Sequence, residues 1–272
     1  MRLESLQLTD IDFARIVSNC TFYPELQVLR ASGNMLTLIP PPGRLFNLRS
    51  LDLSGNQIAV LNGSSFAGTL VTALKLNNNR LESLEASSFA PGLCGLQHFS
   101  ADGNRIASIG RDAFACTPQM ALLSLSDNRM VNFSAASDDL WRVGTLRLGG
   151  NDALASLDLS TVAGLQELVV GGTALPSLPS LHADSRASLV TLRADRMQRL
   201  AAIAPNYFTA PGGDGGGEGG APAAGFPSLA SLTLALGAAA GGVTSLNLTG
   251  CCPQLQSLSV TGGRALADAP LG

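Results

Sequence analysis

The apolar residues of this chain follow one pattern that recurs along roughly its first 200 residues. The segment LRSLDLSGNQI, residues 48–58, has apolar residues at positions one, four, six and eleven and Asn at position nine. A pattern with a fixed period in the twenties predicts a solenoid, in which each repeat forms one turn and stacks on its neighbours. The copies begin 22 to 25 residues apart, at Leu26, Leu48, Val71, Leu96, Met120 and Val143, with weaker copies at Leu165 and Leu189.

Each repeat is predicted to form one short β-strand around its central leucine pair. Alternation along the strand directs Leu51 and Leu53 into the coil and Ser50, Asp52 and Ser54 out of it. Stacked turns bring these strands side by side in a parallel sheet, about 4.7–4.9 Å apart. Because the returning arc is bulkier than the strand, we expect the coil to curve with the sheet on its inner wall.

The asparagine at position nine is predicted to be structural. The chain turns sharply after each strand, and a carboxamide offers both donors and an acceptor to the backbone groups left inside the coil. Thr173 stands at this position in a weaker repeat and can do part of that work, whereas Met197 cannot. The sequence therefore predicts a ladder of amides at Asn34, Asn56, Asn79, Asn104, Asn128 and Asn151.

The pattern L-x-x-L-x-L-x-x-N-x-L, repeated at this period, resembles the leucine-rich-repeat family. Its Ser-Ser-Phe-Ala and Asp-Ala-Phe-Ala phrases resemble repeats common in extracellular animal proteins. The resemblance implies a β-rich α/β solenoid, a curved horseshoe with a parallel sheet on the concave face and short irregular or 3₁₀ arcs on the convex face. On the convex arcs we expect a spine of phenylalanines, Phe22, Phe66, Phe89 and Phe114.

Three regions are predicted along the chain. Residues 1–209 carry the regular repeats, and residues 210–227 are a flexible loop or linker because they are rich in Gly and Pro. Residues 228–272 hold degenerate repeats, whose strand-like segments begin only 14 and 12 residues apart, at Leu229, Val243 and Leu255. The first residues, MRLESLQLTD, already fit the repeat pattern and do not resemble a signal peptide. Since no cap precedes them, we expect this sequence to be a piece of a longer protein.

Charge and composition exclude several classes of partner. The net charge of −3, with both signs scattered along the chain, predicts no nucleic-acid partner. No run of residues approaches the roughly 18 apolar residues of a membrane-spanning helix, so we expect no membrane insertion within this segment.

Patterns typical of enzymes, cofactor sites and metal sites are missing. His98 and His182 have no metal-ligand spacing, and no nucleophile-elbow or Walker sequence occurs. Gly215, Gly217 and Gly220 match G-x-G-x-x-G, but no strand precedes them and no apolar helix follows, which argues against a dinucleotide site. We therefore expect a non-catalytic chain without cofactor or metal.

The five cysteines do not form a closed set of disulfides. Cys94 and Cys116 occupy nearly the same phase of adjacent arcs, so a bridge between them is geometrically feasible. Cys251 stands at the asparagine position of its repeat and is expected to be a buried thiol. Cys20 and Cys252 have no evident partner.

Four glycosylation sequons begin at Asn19, Asn62, Asn132 and Asn247, slightly more than the roughly two expected by chance. Asn62 and Asn132 fall on arcs that tolerate a glycan. Asn247 is expected to point from a strand to the concave wall, where a glycan would block binding. The excess favours an extracellular glycoprotein.

The inner wall of the sheet is the remaining candidate site. Isolated charges among small residues suit a rigid surface for a protein or peptide, and they do not form the deep apolar pocket that a small ligand prefers. The candidate binding residues are Arg30, Asp52, Lys75, His98, Asp102, Arg147, Glu167, Arg193 and Asp195.

Two settings remain open for such a binding module. The first is the ectodomain of a receptor or secreted signalling protein, which the sequons and phenylalanine phrases favour. The second is a cytosolic scaffold or the substrate-recognition part of a larger signalling or ubiquitin-ligase protein, which the unpaired cysteines and missing signal peptide favour. An enzyme would require a domain outside this sequence. The sequence fixes neither the identity of the partner nor the oligomeric state.

Overall fold

The structure, a computed structural model, describes residues 25–39, 45–135, 140–197, 199–200, 203, 207–208, 225–236, 248 and 251–261. Most of these residues form short strands joined by arcs. The strands are β1 (Val28–Arg30), β2 (Ser50–Asp52), β3 (Ala73–Lys75), β4 (Ser83–Leu84), β5 (His98–Ser100), β6 (Ser108–Ile109), β7 (Leu122–Ser124), β8 (Asn132–Ser134), β9 (Thr145–Arg147), β10 (Ser156–Asp158), β11 (Glu167–Val169), β12 (Thr191–Met197), β13 (Ser231–Leu236) and β14 (Ser257–Thr261).

One strand from each repeat joins a single parallel sheet. Its order is β1-β2-β3-β5-β7-β9-β11-β12-β13-β14, so that neighbouring repeats are neighbours in space. Equivalent positions pair across the sheet, for example Leu29 with Leu51 and Leu51 with Leu74. The predicted horseshoe, a parallel β-solenoid with little helix, is confirmed.

The core runs along the axis of the coil. Leu51 and Leu53 are buried, while Asp52 between them is half-exposed, as alternation along a strand requires. Behind the sheet the predicted phenylalanine spine is confirmed for Phe66, Phe89 and Phe114, all buried. The ring of Phe89 lies 5.1 Å from that of Phe114. Phe22 lies outside the described residues.

The convex side is built from short elements. Among the described residues it carries a 3₁₀ helix (Gly63–Phe66) and two α-helices, α1 (Ala86–Phe89) and α2 (Ala183–Ser188). It also carries two small parallel sheets that the sequence analysis did not predict, β4 with β6 and β8 with β10. They form because neighbouring arcs run in the same phase, which aligns their backbone donors and acceptors; Ser83, for instance, pairs with Ser108.

A left-handed residue stands at position eight, where each chain segment leaves the sheet. Glycine adopts this conformation without the steric cost that a Cβ imposes. At Gly103 a Cβ would also lie 2.4 Å from Asn78 Oδ1 in the preceding turn. Positive φ recurs there at Gly33, Gly55, Asn78, Gly103, Asp127, Gly150, Gly172 and Arg196.

The position-nine amides bind the backbone of two turns at once. Asn56 Nδ2 donates to the carbonyl oxygens of Leu53 in its own turn and Ala31 in the preceding turn, at 2.8 and 2.9 Å. Asn56 Oδ1 accepts from the backbone N–H of Leu36 at 3.0 Å. Asn79, Asn104, Asn128 and Asn151 repeat this arrangement, and all are buried. Thr173 makes one bond of this set, to Val170 O at 2.8 Å.

The last turns are longer than the sequence spacing suggested. Thr191 pairs directly with Ser231, so the Gly-rich segment is an insertion within one turn. Ser231 pairs directly with Ser257, so no turn beginning at Val243 separates β13 from β14. Phe226, inside the region expected to be flexible, is buried in the core. The rest of that segment, 210–224, lies outside the described residues.

An aromatic cluster anchors both ends of this insertion. The ring of Phe226 lies 5.9 Å from that of Tyr207 and 5.5 Å from that of Phe208. Arg186 of α2 places its Cζ 4.9 Å from the Phe226 ring centroid and donates from Nη2 to Tyr207 O at 2.8 Å. Burial raises the pKa of the Tyr207 hydroxyl, which donates to Pro179 O at 2.8 Å.

The cysteines differ from expectation. Cys94 and Cys116 are both free and half-buried, so the bridge considered from sequence is absent. Burial, together with Cys94, raises the pKa of the Cys116 thiol to about 12. Cys251 is buried but forms a disulfide with Cys252, so the expectation of a thiol was wrong. The two neighbours lie in one turn, with Cα atoms 3.8 Å apart. Cys20 lies outside the described residues.

Candidate functional site

Position five of the repeats forms a row of side chains along the inner face of the sheet. Lys75, Arg147 and Arg193 are exposed in this row, and Asp52 is half-buried. Neighbouring strands lie about 4.7–4.9 Å apart, so the row crosses the sheet one residue wide, and Ser124 is a buried member of it. Strand register orders it as Arg30, Asp52, Lys75, Ser100, Ser124, Arg147, Val169 and Arg193.

Position three forms a second row beside the first. His98 is exposed there, between Ala73 and Leu122 of the adjoining strands. Glu167 lies between Thr145 and Thr191. Both of these candidate residues therefore share the inner face with the position-five row.

Arg147 and Glu167 form a bidentate ion pair between the neighbouring strands β9 and β11. Arg147 Nε donates to Glu167 Oε1 at 3.0 Å, and Nη2 donates to Oε2 at 3.2 Å. The side chains are 44% and 29% exposed, so solvent screens the pair and it contributes at most about 1 kcal/mol to stability. Its main effect is geometric, because it fixes the guanidinium plane on the inner wall.

Asp102 belongs to a polar network at the edge of the inner wall. Its Oδ1 accepts from Ser124 Oγ and from the backbone N–H of Ser126, both at 2.7 Å. Its own backbone N–H donates to Asn77 Oδ1 at 2.9 Å, and Ser100 Oγ donates to the same oxygen at 2.6 Å. Asp102 thus holds adjacent turns together, a role that its sequence position alone did not reveal.

The carboxylates of two other candidate residues accept hydrogen bonds from residues one or two positions further along the chain. Asp52 Oδ1 accepts from Ser54 N at 3.0 Å, which closes a local turn. Asp195 Oδ2 accepts from Arg196 Nε at 3.1 Å. Asp195 also lies against Gly171, where a Cβ would come within 2.3 Å of its Oδ1. Within the described part of the chain, the side chains of Lys75 and Arg193 have no hydrogen-bond or ion-pair partner.

A polar cleft adjoins the wall where the asparagine ladder ends. It has a volume of about 490 Å³, and Asp127 and Asp152 line it together with Arg196 and Arg199. These residues were not predicted from sequence, because they stand at position eight or from position ten onward, outside the predicted strand positions. The sequence feature that these four residues share is a charge at, or within two residues of, the position next to the position-nine residue.

Two of the four sequons lie within the described residues. Asn62 is exposed, and its Oδ1 caps the 3₁₀ helix by accepting from Ser64 N at 3.0 Å and Ser64 Oγ at 2.8 Å. A glycan would be linked through Nδ2, which leaves this cap intact. Asn132 is exposed on β8 of the convex side. Asn19 and Asn247 lie outside the described residues.

Asn132 lines a convex cleft of about 710 Å³ together with Asp158. The backbone N–H of Ser160, assisted by its hydroxyl, holds the pKa of the Asp158 carboxyl below its ordinary value. Asp158 belongs to the outer arc and faces away from the sheet's inner wall.

Among the described residues, no group of three or more His, Cys, Asp or Glu side chains is arranged to hold a metal ion. In the same part of the chain no helix is long and apolar enough to cross a bilayer.

The chain is similar in sequence to parts of larger proteins. A family model described as "Leucine rich repeat" matches residues 46–106. "Leucine-rich repeat-containing G-protein coupled receptor 5" of Rattus norvegicus is 35% identical over 129 residues, which cover 38% of this chain and 14% of the receptor. "Adenylate cyclase" of Schizosaccharomyces pombe is 30% identical over 145 residues, covering 50% of this chain and 8% of the cyclase. The chain thus spans a small part of either relative.

Solved structures share its fold. One is an octameric complex of Latrophilin 3, Unc5D and FLRT2, whose FLRT2 part is marked as LRR. That match has a TM-score of 0.51 at 17% identity and covers 80% of this chain and 72% of that chain. Another is the TLR13–ssRNA13 complex, with a TM-score of 0.53 at 18% identity, covering 90% of this chain and 41% of that chain. At these identities the likeness concerns the fold alone.

Proposed function

Since the chain is a leucine-rich-repeat protein, we propose that it is a non-catalytic binding module that recognises a protein or peptide on the concave face of its sheet. The observation that carries the proposal is the row of position-five side chains on one rigid wall, several of which are charged and exposed. Solenoids use extended concave surfaces of this kind to bind partners.

The chemistry of the wall favours a protein partner. Lys75 and Arg193 are exposed cations, and the Arg147–Glu167 pair presents both signs of charge at a fixed orientation. Such charges give specificity and steer association, because a partner must present the complementary pattern. The octameric complex that includes FLRT2 is an assembly of proteins, which agrees with this use of the fold.

Single-stranded RNA is the ligand named for the TLR13 complex, and we propose that this chain differs from it. Proteins that bind single strands stack bases on exposed aromatic rings. The exposed large aromatics of the described residues are Phe46 and Trp141, which each stand two residues before a repeat start, away from the two inner-wall rows. The inner wall carries charges of both signs, and its two described rows have no exposed Phe, Tyr or Trp ring on which a base could stack. Both observations favour a protein ligand over a nucleic acid.

A photocrosslinking contrast tests the proposal. A photoreactive phenylalanine derivative is placed at Lys75 or Arg193 on the wall, or at the exposed Arg111 of the convex side, and the chain is irradiated in its native host. We expect crosslinks to one recurring protein from the two wall positions and not from Arg111. Recurring crosslinks only from Arg111 would reject the concave assignment.

We further infer an extracellular setting, as part of a receptor-like glycoprotein. The exposed Asn62 and Asn132 support this setting, as does the similarity to the rat receptor. Treatment of natively expressed protein with a glycosidase checks it, with an Asn62→Gln/Asn132→Gln variant as control. We expect the glycosidase to lower the mass of the wild type by the glycans at Asn62 and Asn132. The variant should not show this loss, and any loss that remains in it comes from a glycan at Asn19 or Asn247. No loss of mass in the wild type would favour the cytosolic scaffold instead.

A further inference from the structure

Three arginines occupy the same position in three successive turns. Arg80, Arg105 and Arg129 each follow the ladder asparagine directly, at position ten of their repeats, and all are exposed. We call these three residues the arginine stripe. Their backbone N–H groups donate to equivalent carbonyl oxygens of the preceding turns, those of Ile58, Leu81 and Ile106, each at 2.9 Å.

The backbone under the stripe is held rigidly. Arg105 lies between two buried residues, Asn104, whose amide bonds to two turns, and Ile106, whose N–H donates to Asn128 Oδ1 at 3.0 Å. The same bonds flank Arg80 and Arg129. Since neighbouring paired backbones lie about 4.7–4.9 Å apart, the backbone positions of the stripe repeat at about that distance, and each carries an exposed guanidinium group.

The guanidinium groups are not neutralised by the described part of the chain. Glu82 stands two residues after Arg80, Asp127 stands two residues before Arg129, and Asp152 occupies position ten of the next turn. No ion pair within 4.0 Å joins any of these carboxylates to the stripe. Asp152 limits the stripe to three turns. The three exposed guanidinium groups form a local row of positive charge in a chain of net charge −3, and an anionic partner can pair with that row.

We propose that the arginine stripe binds an acidic peptide segment of a protein partner through guanidinium–carboxylate pairs. Carboxylates three or four residues apart on a helix have Cβ atoms about 5–6 Å apart, close to the spacing of the stripe. A guanidinium presents a planar fork that pairs with a carboxylate through two hydrogen bonds. The stripe has no exposed aromatic neighbour among the described residues for stacking a base, which disfavours single-stranded nucleic acid.

The stripe is a different surface from the concave wall. Its residues lie beyond the strands, at position ten, whereas the wall uses positions three and five. Binding at the stripe therefore does not depend on the concave proposal, and an experiment with a defined probe tests it separately.

Fluorescence anisotropy with the full 272-residue chain tests the inference. The probe is a labelled synthetic helical peptide with Glu at every fourth position, and the control probe carries Gln at those positions. The stripe variant is Arg80→Glu/Arg105→Glu/Arg129→Glu. A matched variant, Arg49→Glu/Arg111→Glu/Arg142→Glu, makes the same total charge change at exposed arginines elsewhere. A neutral variant, Arg80→Gln/Arg105→Gln/Arg129→Gln, removes the charges without reversing them. It replaces the first variant if that one fails to fold.

We expect the wild type to bind the Glu peptide at low ionic strength, with affinity at least about tenfold lower in the stripe variants and nearly unchanged in the matched variant. The Gln peptide should not bind. Failure of the wild type to bind the Glu peptide, or equal losses in the stripe and matched variants, would overturn the inference. Tighter stripe-dependent binding of heparin or of poly(dT) would also overturn it, because the partner would then be a sulfated polysaccharide or a nucleic acid.

Discussion

The side-chain nitrogen Nδ2 of Asn104 lies 2.8 Å from the carbonyl oxygen of Leu76, a residue one full turn earlier in the coil. The same amide also donates to Ala101 O at 2.9 Å and accepts from Leu81 N at 3.0 Å. One side chain thus satisfies three backbone groups that face the interior. Since an unsatisfied buried group is costly, this bonding makes each turn depend on its neighbour.

Removal of this amide should destabilise the fold measurably. We expect Asn104→Ala to lower the free energy of unfolding by about 1–3 kcal/mol, because buried donors and acceptors lose their partner. Asn104→Thr should cost less, since the hydroxyl of Thr173 makes the equivalent own-turn bond. Urea denaturation followed by circular dichroism measures both. Equal losses for Ala and Thr would contradict this assignment of the bonds.

A side chain at Gly103 should be poorly tolerated. Its φ is +67°, and a Cβ would lie 2.4 Å from Asn78 Oδ1, so we expect Gly103→Ala to cost about 1 kcal/mol or more. Gly95 is the matched control, because its φ is not positive and a Cβ there meets nothing within 4 Å. Gly95→Ala should change the unfolding free energy by less than about 0.5 kcal/mol. Thermal melts of the two variants compare them directly, and similar shifts would refute the steric argument.

Phe89 should be a main contributor to the convex spine. It is fully buried, with its ring 5.2 Å from that of Phe99. We expect Phe89→Ala to lower the unfolding free energy by about 3–5 kcal/mol through lost burial and a cavity. Phe46 is 55% exposed, so Phe46→Ala should have a small effect in the same denaturation assay. The prediction fails if the exposed substitution costs as much as the buried one.

The thiol of Cys116 should react slowly. Its pKa is raised to about 12 by burial and by Cys94, so below that pH the thiol is protonated and the reactive thiolate is scarce. The rate of iodoacetamide labelling should therefore keep rising above pH 9, where an ordinary thiol levels off. Cys94→Ala should raise the Cys116 rate at pH 8, as followed by peptide mass mapping. A wild-type profile that levels off near pH 9 would show that the environment does not act on this thiol.

Much of the solenoid follows from local pattern. Leu51 and Leu53 fix which face of a strand is buried, and the asparagine at position nine fixes the turn that follows, so the eight sheet strands from β1 to β12 were predictable repeat by repeat. The candidate residues Lys75, His98, Arg147, Glu167 and Arg193 lie on one face because the register of the sheet is constant.

Other features depend on contacts that no short pattern encodes. The pairing of β12 with β13 spans the Gly-rich insertion and is supported by Phe226 and Tyr207, two aromatics that the repeat pattern does not mark. The role of Asp102 depends on a hydroxyl from the next turn, that of Ser124. The arginine stripe corresponds to Asn-Arg in three repeats, beyond the strand positions that the leucine pattern marks.

We propose that the concave wall is the recognition surface, and one binding measurement tests this most directly. The affinity of the partner recovered by crosslinking is compared between the wild type, Arg147→Glu/Arg193→Glu and Arg111→Glu. We predict that the wall variant binds the partner at least about tenfold more weakly than the wild type, because reversing two charges replaces attraction to the partner's complementary charges with repulsion. Arg111→Glu should bind like the wild type. Equal loss from both variants, or loss from Arg111→Glu alone, would contradict the account.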